Sequence, residues 1–205
     1  MRDPRLMLAC LLVFGTAATA AAQPRAPAYH TNHGTTLNVF GGVATASSDT
    51  GGLFGGAAGW EITPWFGIEG DAAWLDRPDG EEGFKGALSV HANLLGRHTV
   101  VPFLKGGFGL YHAAFASAGQ VTPHFYRRRL DAATTVPETN QSFTDPTFVA
   151  GGGVNVFLSS HVALRPQVEA IIAVRDSQSY VVTAFTLHLA YHFEEHPITP
   201  GRATR

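Results

Sequence analysis

Residues 180–193, YVVTAFTLHLAYHF, constrain this chain more than any other stretch. Phe185, Leu187, Leu189, Tyr191 and Phe193 fall on one side of an extended backbone, and Thr186, His188, Ala190 and His192 on the other. Period-two alternation over that length is a β pattern, not a helical one. The apolar side ends in aromatics, the form expected of a strand whose outer face meets lipid.

The amino-terminal residues fit an export signal. Arg2 and Arg5 form a short positive region, residues 6–16 are almost unbrokenly apolar, and Ala20-Ala21-Ala22 before Gln23 fits a small-residue cleavage site. A retained membrane anchor is the rival reading; the shortness of the apolar run, followed by Pro24 and Pro27, favours removal. Cys10, the single cysteine, lies early in the apolar run and would leave with the signal. The remaining chain then offers no disulfide framework, thiol nucleophile or thiolate metal site. Of 14 Lys+Arg and 16 Asp+Glu, residues 1–22 hold Arg2, Arg5 and Asp3, leaving 12 bases against 15 acids, net −3 with histidines neutral. Nothing in that balance points to nucleic acid. No later segment is apolar for the roughly 20 residues a spanning helix needs. A bilayer protein without such helices has a closed barrel as its remaining solution, because open sheet edges go unpaired in hydrocarbon.

Seven further segments read as strands: 34–46, 53–62, 66–75, 84–95, 102–113, 147–158 and 162–175. Their lengths suit tilted strands that cross a bilayer. Many of the 23 glycines fall inside them, which is costly in a helix but in strands marks bends and close backbone approach. Connections at 63–65, 96–101 and 159–161 are short, whereas 76–83 is acidic and turn-rich and 114–146 is long. From the second strand onward one face is free of charge, as in Phe54, Trp60, Ile62, Phe66, Ile68, Trp74, Leu88, Val90, Leu104, Phe108, Leu110, Phe148, Leu158 and Leu164. An Arg or Lys there would cost about 2–4 kcal/mol at a bilayer midplane.

The opposite face carries Glu61, Glu69, Asp71, Lys85, Lys105, Arg165, Glu169 and Arg175, with His91, Asn93, Asn155, Gln167, His188 and His192. A soluble barrel would place its apolar face inward and its charges outward. The aromatic end of the last strand, in a chain that opens with an export signal, favours the membrane barrel. Eight strands leave an interior just wide enough for side chains to fill. The four acids and four bases therefore read first as an ion-paired lumen plug.

The strand–turn–strand unit GGAAGWEITPWFGIEG (residues 55–70), with PFLKGGFG (102–109) and GGGVN (151–155), resembles the small outer-membrane barrels of the OmpA/OmpX type, over about residues 34–193. That resemblance implies an all-β fold of eight antiparallel up-and-down transmembrane strands with both termini periplasmic. The chain would divide into a signal peptide (1–22), a periplasmic amino-terminal segment (23–33), the barrel (34–193) and a carboxy-terminal tail (194–205). The resemblance also implies lipid and lipopolysaccharide surroundings and a barrel assembly machinery that reads the aromatic last strand, with Tyr191 and Phe193 as its signal. Residues 194–205 depart from the many relatives that stop at the aromatic.

Three further groupings bear on chemistry. Ser89 and His91 share the inward face of one strand, with Glu69 and Asp71 inward on the next. A hydroxyl, a base and an orienting acid are what acyl transfer needs, and some outer-membrane barrels hydrolyse lipid A; polar filling of the lumen explains the same residues. His30 and His33 lack a third ligand of fixed spacing, so no metal is assigned. His188 and His192 are lumen polar groups. In the long loop, Phe125, Tyr126, Arg127, Arg128 and Arg129 combine aromatics with three positive charges, suited to phosphate or carboxylate groups at the surface. The expected function is therefore a non-enzymatic structural or surface-interaction protein with an occluded lumen and no cofactor. A narrow channel for small solutes and a lipid A-modifying acyl hydrolase are the alternatives.

Overall fold

The computed structural model describes residues 34–46, 49–76, 81–96, 98–116, 126, 140–175 and 178–194. Eight strands follow in chain order: β1 (Gly34–Ala46), β2 (Asp49–Glu61), β3 (Phe66–Asp76), β4 (Glu81–Asn93), β5 (Val100–Ala116), β6 (Asn140–Phe157), β7 (Val162–Arg175) and β8 (Gln178–His192). Each pairs antiparallel with its neighbours in sequence, and β1 pairs with β8 to close the barrel. Closure leaves no unpaired edge, the condition a sheet must meet in lipid. β1 and β7 coincide with the segments expected from the sequence. The long connection is shorter than expected, because β5 runs on to Ala116 and β6 starts at Asn140.

Side chains alternate between wall faces as the charge pattern requires. Phe54, Leu88, Leu104, Phe108, Leu110, Phe148, Leu187 and Leu189 are all at least half exposed on the outer surface. Large apolar groups displayed on every strand require a non-aqueous solvent. Aromatics gather at the two rims. Trp60, Trp65, Phe66, Tyr191 and Phe193 lie at the end where β1 begins and β8 finishes, here the terminal end, with Trp74 and Phe84 paired edge to face at 6.4 Å toward the other. These are the girdles that ring a membrane barrel at its interfaces.

Two of the tight turns at the terminal end share one device. Thr63 Oγ1 accepts from the backbone N–H groups of Trp65 (3.2 Å) and Phe66 (3.0 Å). Ser159 Oγ accepts likewise from His161 (3.3 Å) and Val162 (3.0 Å). A hydroxyl that bonds its own backbone two and three residues on closes a turn without a longer loop. The β6–β7 ladder is interrupted: Gly153 pairs Gln167 and Val156 pairs Leu164, with no pairing recorded between them, beside Pro166. Proline has no N–H to give a ladder.

Inside, glycine makes room for rings. A Cβ built on Gly67 would lie 2.4 Å from the His91 ring of β4, so the imidazole occupies the space a side chain would need. Gly67→Ala is expected to cost about 1–3 kcal/mol by overpacking. Urea midpoints in lipid vesicles check this, and most of the loss should return in a His91→Ala background.

Candidate functional site

The strands bring six ionised side chains to one level of the lumen. Lys105 of β5 reaches three carboxylates, with Nζ 3.1 Å from Glu69 Oε1, Asp71 Oδ1 and Glu169 Oε2. An ammonium has three donors, and here each direction meets an anion. Arg165 of β7 donates through Nη1 to Glu69 Oε2 (2.6 Å) and through Nη2 to Glu69 Oε1 (3.4 Å), a two-pronged pairing. Lys85 of β4 pairs with Asp71 (2.5 Å) and with Glu169. Asn38 Nδ2 of β1 donates to Glu69 Oε2 (3.2 Å), and Gln167 Nε2 donates to Glu169 Oε2 (3.3 Å). All six charged groups are buried, three acids against three bases. Buried charges persist when paired and hydrogen-bonded, and here the pairing is reciprocal across β3, β4, β5 and β7.

Rings flank this layer. The Arg165 guanidinium carbon sits 4.1 Å from the centroid of Phe103, within cation–π range. His188 stacks on Phe40 with centroids 4.4 Å apart and shares a 3.0 Å hydrogen bond with Thr186. Beside the network, lined by Asp71, Lys85, Lys105, Gln167, Glu169 and His188 among others, lies a cavity of about 10 Å³, the space one water centre needs.

The structure separates two residues that the sequence placed in the network. Arg175 lies at the far rim, its side chain 47% exposed, and pairs with buried Asp145 at 3.2 Å. Glu61 lies at the terminal end, with His192 Nδ1 3.9 Å from its carboxylate. They alternate onto the inward face as expected, but the strand ends carry them away from the charged layer. Asp145 and Asn38 are partners that the sequence reading missed. Asp145 falls in the 114–146 segment read from the sequence as a connection, yet Phe143, Asp145, Thr147 and Val149 keep one inward parity.

Tyr126 is a second correction. Expected as a surface contact, it is completely buried, stacked on Phe143 (5.6 Å) and edge-on to Tyr180 (5.4 Å). It joins a cluster that makes the far half of the lumen apolar, including Leu53, Leu75, Tyr111, Ile171, Tyr180 and Val182. Phe125 and Arg127–Arg129 lie outside the described residues, as do His30 and His33. Tyr191 and Phe193 face outward at the terminal rim, in edge-to-face contact at 5.1 Å, with His161 stacked on Tyr191 at 5.9 Å.

Ser89 and His91 do not form a nucleophile–base pair. The Ser89 hydroxyl donates to the backbone carbonyl of Glu69 (3.2 Å), and the His91 ring packs edge-on to Phe103 (6.5 Å). Both side chains are buried.

A closed eight-stranded antiparallel barrel with an apolar, aromatic-rimmed outer band and an ion-paired interior defines a transmembrane β-barrel. Residues 6–193 match the outer membrane protein beta-barrel domain family, and the chain belongs to it. Among solved structures, the chain is similar to Neisserial surface protein A (TM-score 0.58, 12% identity, 80% of this chain and 98% of that one). It is similar also to the N-terminal barrel domain of Pseudomonas aeruginosa OprF (0.55, 12%, 80% and 98%) and to OprG of the same organism (0.50, 11%, 83% and 100%). At these identities the likeness is one of fold. No curated protein matches in sequence.

Proposed function

We propose that this outer-membrane barrel is a structural or surface-interaction protein whose lumen is occluded, not a conduit. The observation that supports this reading is the layer of Glu69, Asp71, Lys85, Lys105, Arg165 and Glu169, which joins four strands across the interior. A charge that left this layer would strand its partners in a low-dielectric wall, a penalty that holds the plug in place. The apolar far half backs the same reading, since ions do not cross an unhydrated apolar packing.

On this reading the segment 1–22 is an export signal, and the aromatic β8 with Tyr191 and Phe193 is what the assembly machinery engages. Lipid and lipopolysaccharide contact the outer wall. The Arg127–Arg129 run is an anion-binding element of the long connection. The burial of Ser89 and its hydrogen bond to the Glu69 carbonyl argue against a role as an acyl-transfer nucleophile.

Planar-bilayer recording of the refolded barrel tests the occlusion. A silent membrane is the expected result, and stable unit currents would replace it with the narrow-channel reading.

A further inference from the structure

The far half of the lumen is underfilled by its own strands. Alanine occupies inward positions on five of them, among them Ala44, Ala73, Ala113, Ala173 and Ala184. Eight-stranded interiors close when their side chains fill them, and the small side chains of this one buried cluster leave space in the lumen. That space is taken by the Tyr126 ring, which comes from the connection between β5 and β6 and not from the wall. Its seat is aromatic on two sides: Phe143 parallel at 5.6 Å and Tyr180 edge-on at 5.4 Å, with Tyr111 tilted against Tyr180 at 6.4 Å. Offset-stacked and edge-to-face contacts in this range are the favourable arrangements of aromatic pairs.

The floor of the seat is rigid. Tyr111 and Ala73 are both register-paired with Lys85, one on each neighbouring strand, so the cup adjoins the ionic layer. The wall is a closed hydrogen-bonded sheet, which cannot contract to fill a hole as a loosely packed helical core can. Removing the ring therefore leaves a cavity, and dry cavities lined by apolar groups bind small aromatic molecules.

We propose that the outer half of the lumen is a binding cup for a single phenol-sized aromatic ring, with Tyr126 as its built-in occupant. The ligand class is a small phenol or other one-ring aromatic, and Tyr126 competes with it. This inference stands apart from the occlusion reading, since the cup lies on one side of the charged layer and requires no passage through it.

The test uses the full barrel refolded in micelles with 4-fluorophenol as probe. In Tyr126→Ala, fluorine NMR should show a saturable bound signal, and saturating probe should raise the unfolding temperature. Wild type and Tyr126→Phe, whose seats are full, should bind at least ten-fold more weakly; they also report how much probe merely partitions into detergent. Tyr126→Val carries the same expectation should the alanine variant refold poorly. A folded Tyr126→Ala or Tyr126→Val barrel with no bound signal above the wild-type level and no thermal shift would overturn the cup. Equal saturable binding by wild type and Tyr126→Ala would overturn Tyr126 as its occupant.

Discussion

Lys105→Met is expected to lower the unfolding free energy of the refolded barrel by about 3–5 kcal/mol, the range for breaking a buried charge pair from one side. Methionine preserves most of the volume, so the effect isolates the charge. In the native layer three anions face three cations, and Lys105 alone touches all three anions. Without it Glu69 keeps Arg165, but Asp71 and Glu169 must share Lys85, and one negative charge is left over in a site sealed from water. Lys105→Arg should fall between the two, because a planar fork cannot address three separate carboxylates as an ammonium does. Adding Glu169→Gln to Lys105→Met restores neutrality and should recover more than half of the loss, a coupling that independent sites do not show. Urea unfolding in lipid vesicles measures all four proteins. A Lys105→Met midpoint equal to wild type would mean that the layer contributes nothing to holding the lumen closed.

The wall was legible in the sequence because the membrane imposes a strict rule on one face. The outward series of each strand obeys it through the middle of the wall, with acids appearing only at the far ends of β3 and β4 (Asp76 and Glu82), and the strand count and pairing follow from that parity with the short turns. The ionic layer was partly legible for the same reason: inward parity identified Glu69, Asp71, Lys85, Lys105, Arg165 and Glu169. Parity says nothing about height along the barrel axis, however. That is why Arg175 and Glu61, correct in face, proved to belong to other levels, with Asp145 and His192 as their partners. Height depends on strand stagger and tilt, which no local pattern encodes. Tyr126 was illegible for a different reason. Its place is set by a hole that alanines on distant strands create together, and a residue in a polar connection gives no sign that it will turn inward.

Phe108→Arg tests the solvent of the outer face, and its effect should exceed that of any conservative change to the wall. Phe108 lies midway along β5, is 63% exposed, and is register-paired with Phe148, another outward ring. The outward acids Asp76 and Glu82 stand at the far ends of β3 and β4, six residues along β4 from the Leu88 that pairs with Phe108, too far to pair with an arginine there. If hydrocarbon surrounds this position, the guanidinium costs about 2–4 kcal/mol, and forfeiting the apolar transfer of the phenyl ring adds roughly 1.5–3 kcal/mol. Leu94→Arg provides the contrast: Leu94 is also exposed, but it lies at the terminal rim just beyond β4, where the same charge should cost only about 0–1 kcal/mol before the lost leucine is counted. Paired urea titrations in vesicles should therefore separate the two variants by several kcal/mol. In water the two sites would respond alike, since an exposed arginine is well solvated at either. Equal midpoints for Phe108→Arg and Leu94→Arg would remove lipid as the medium that selected this wall, and with it the reason why charge was confined to the lumen.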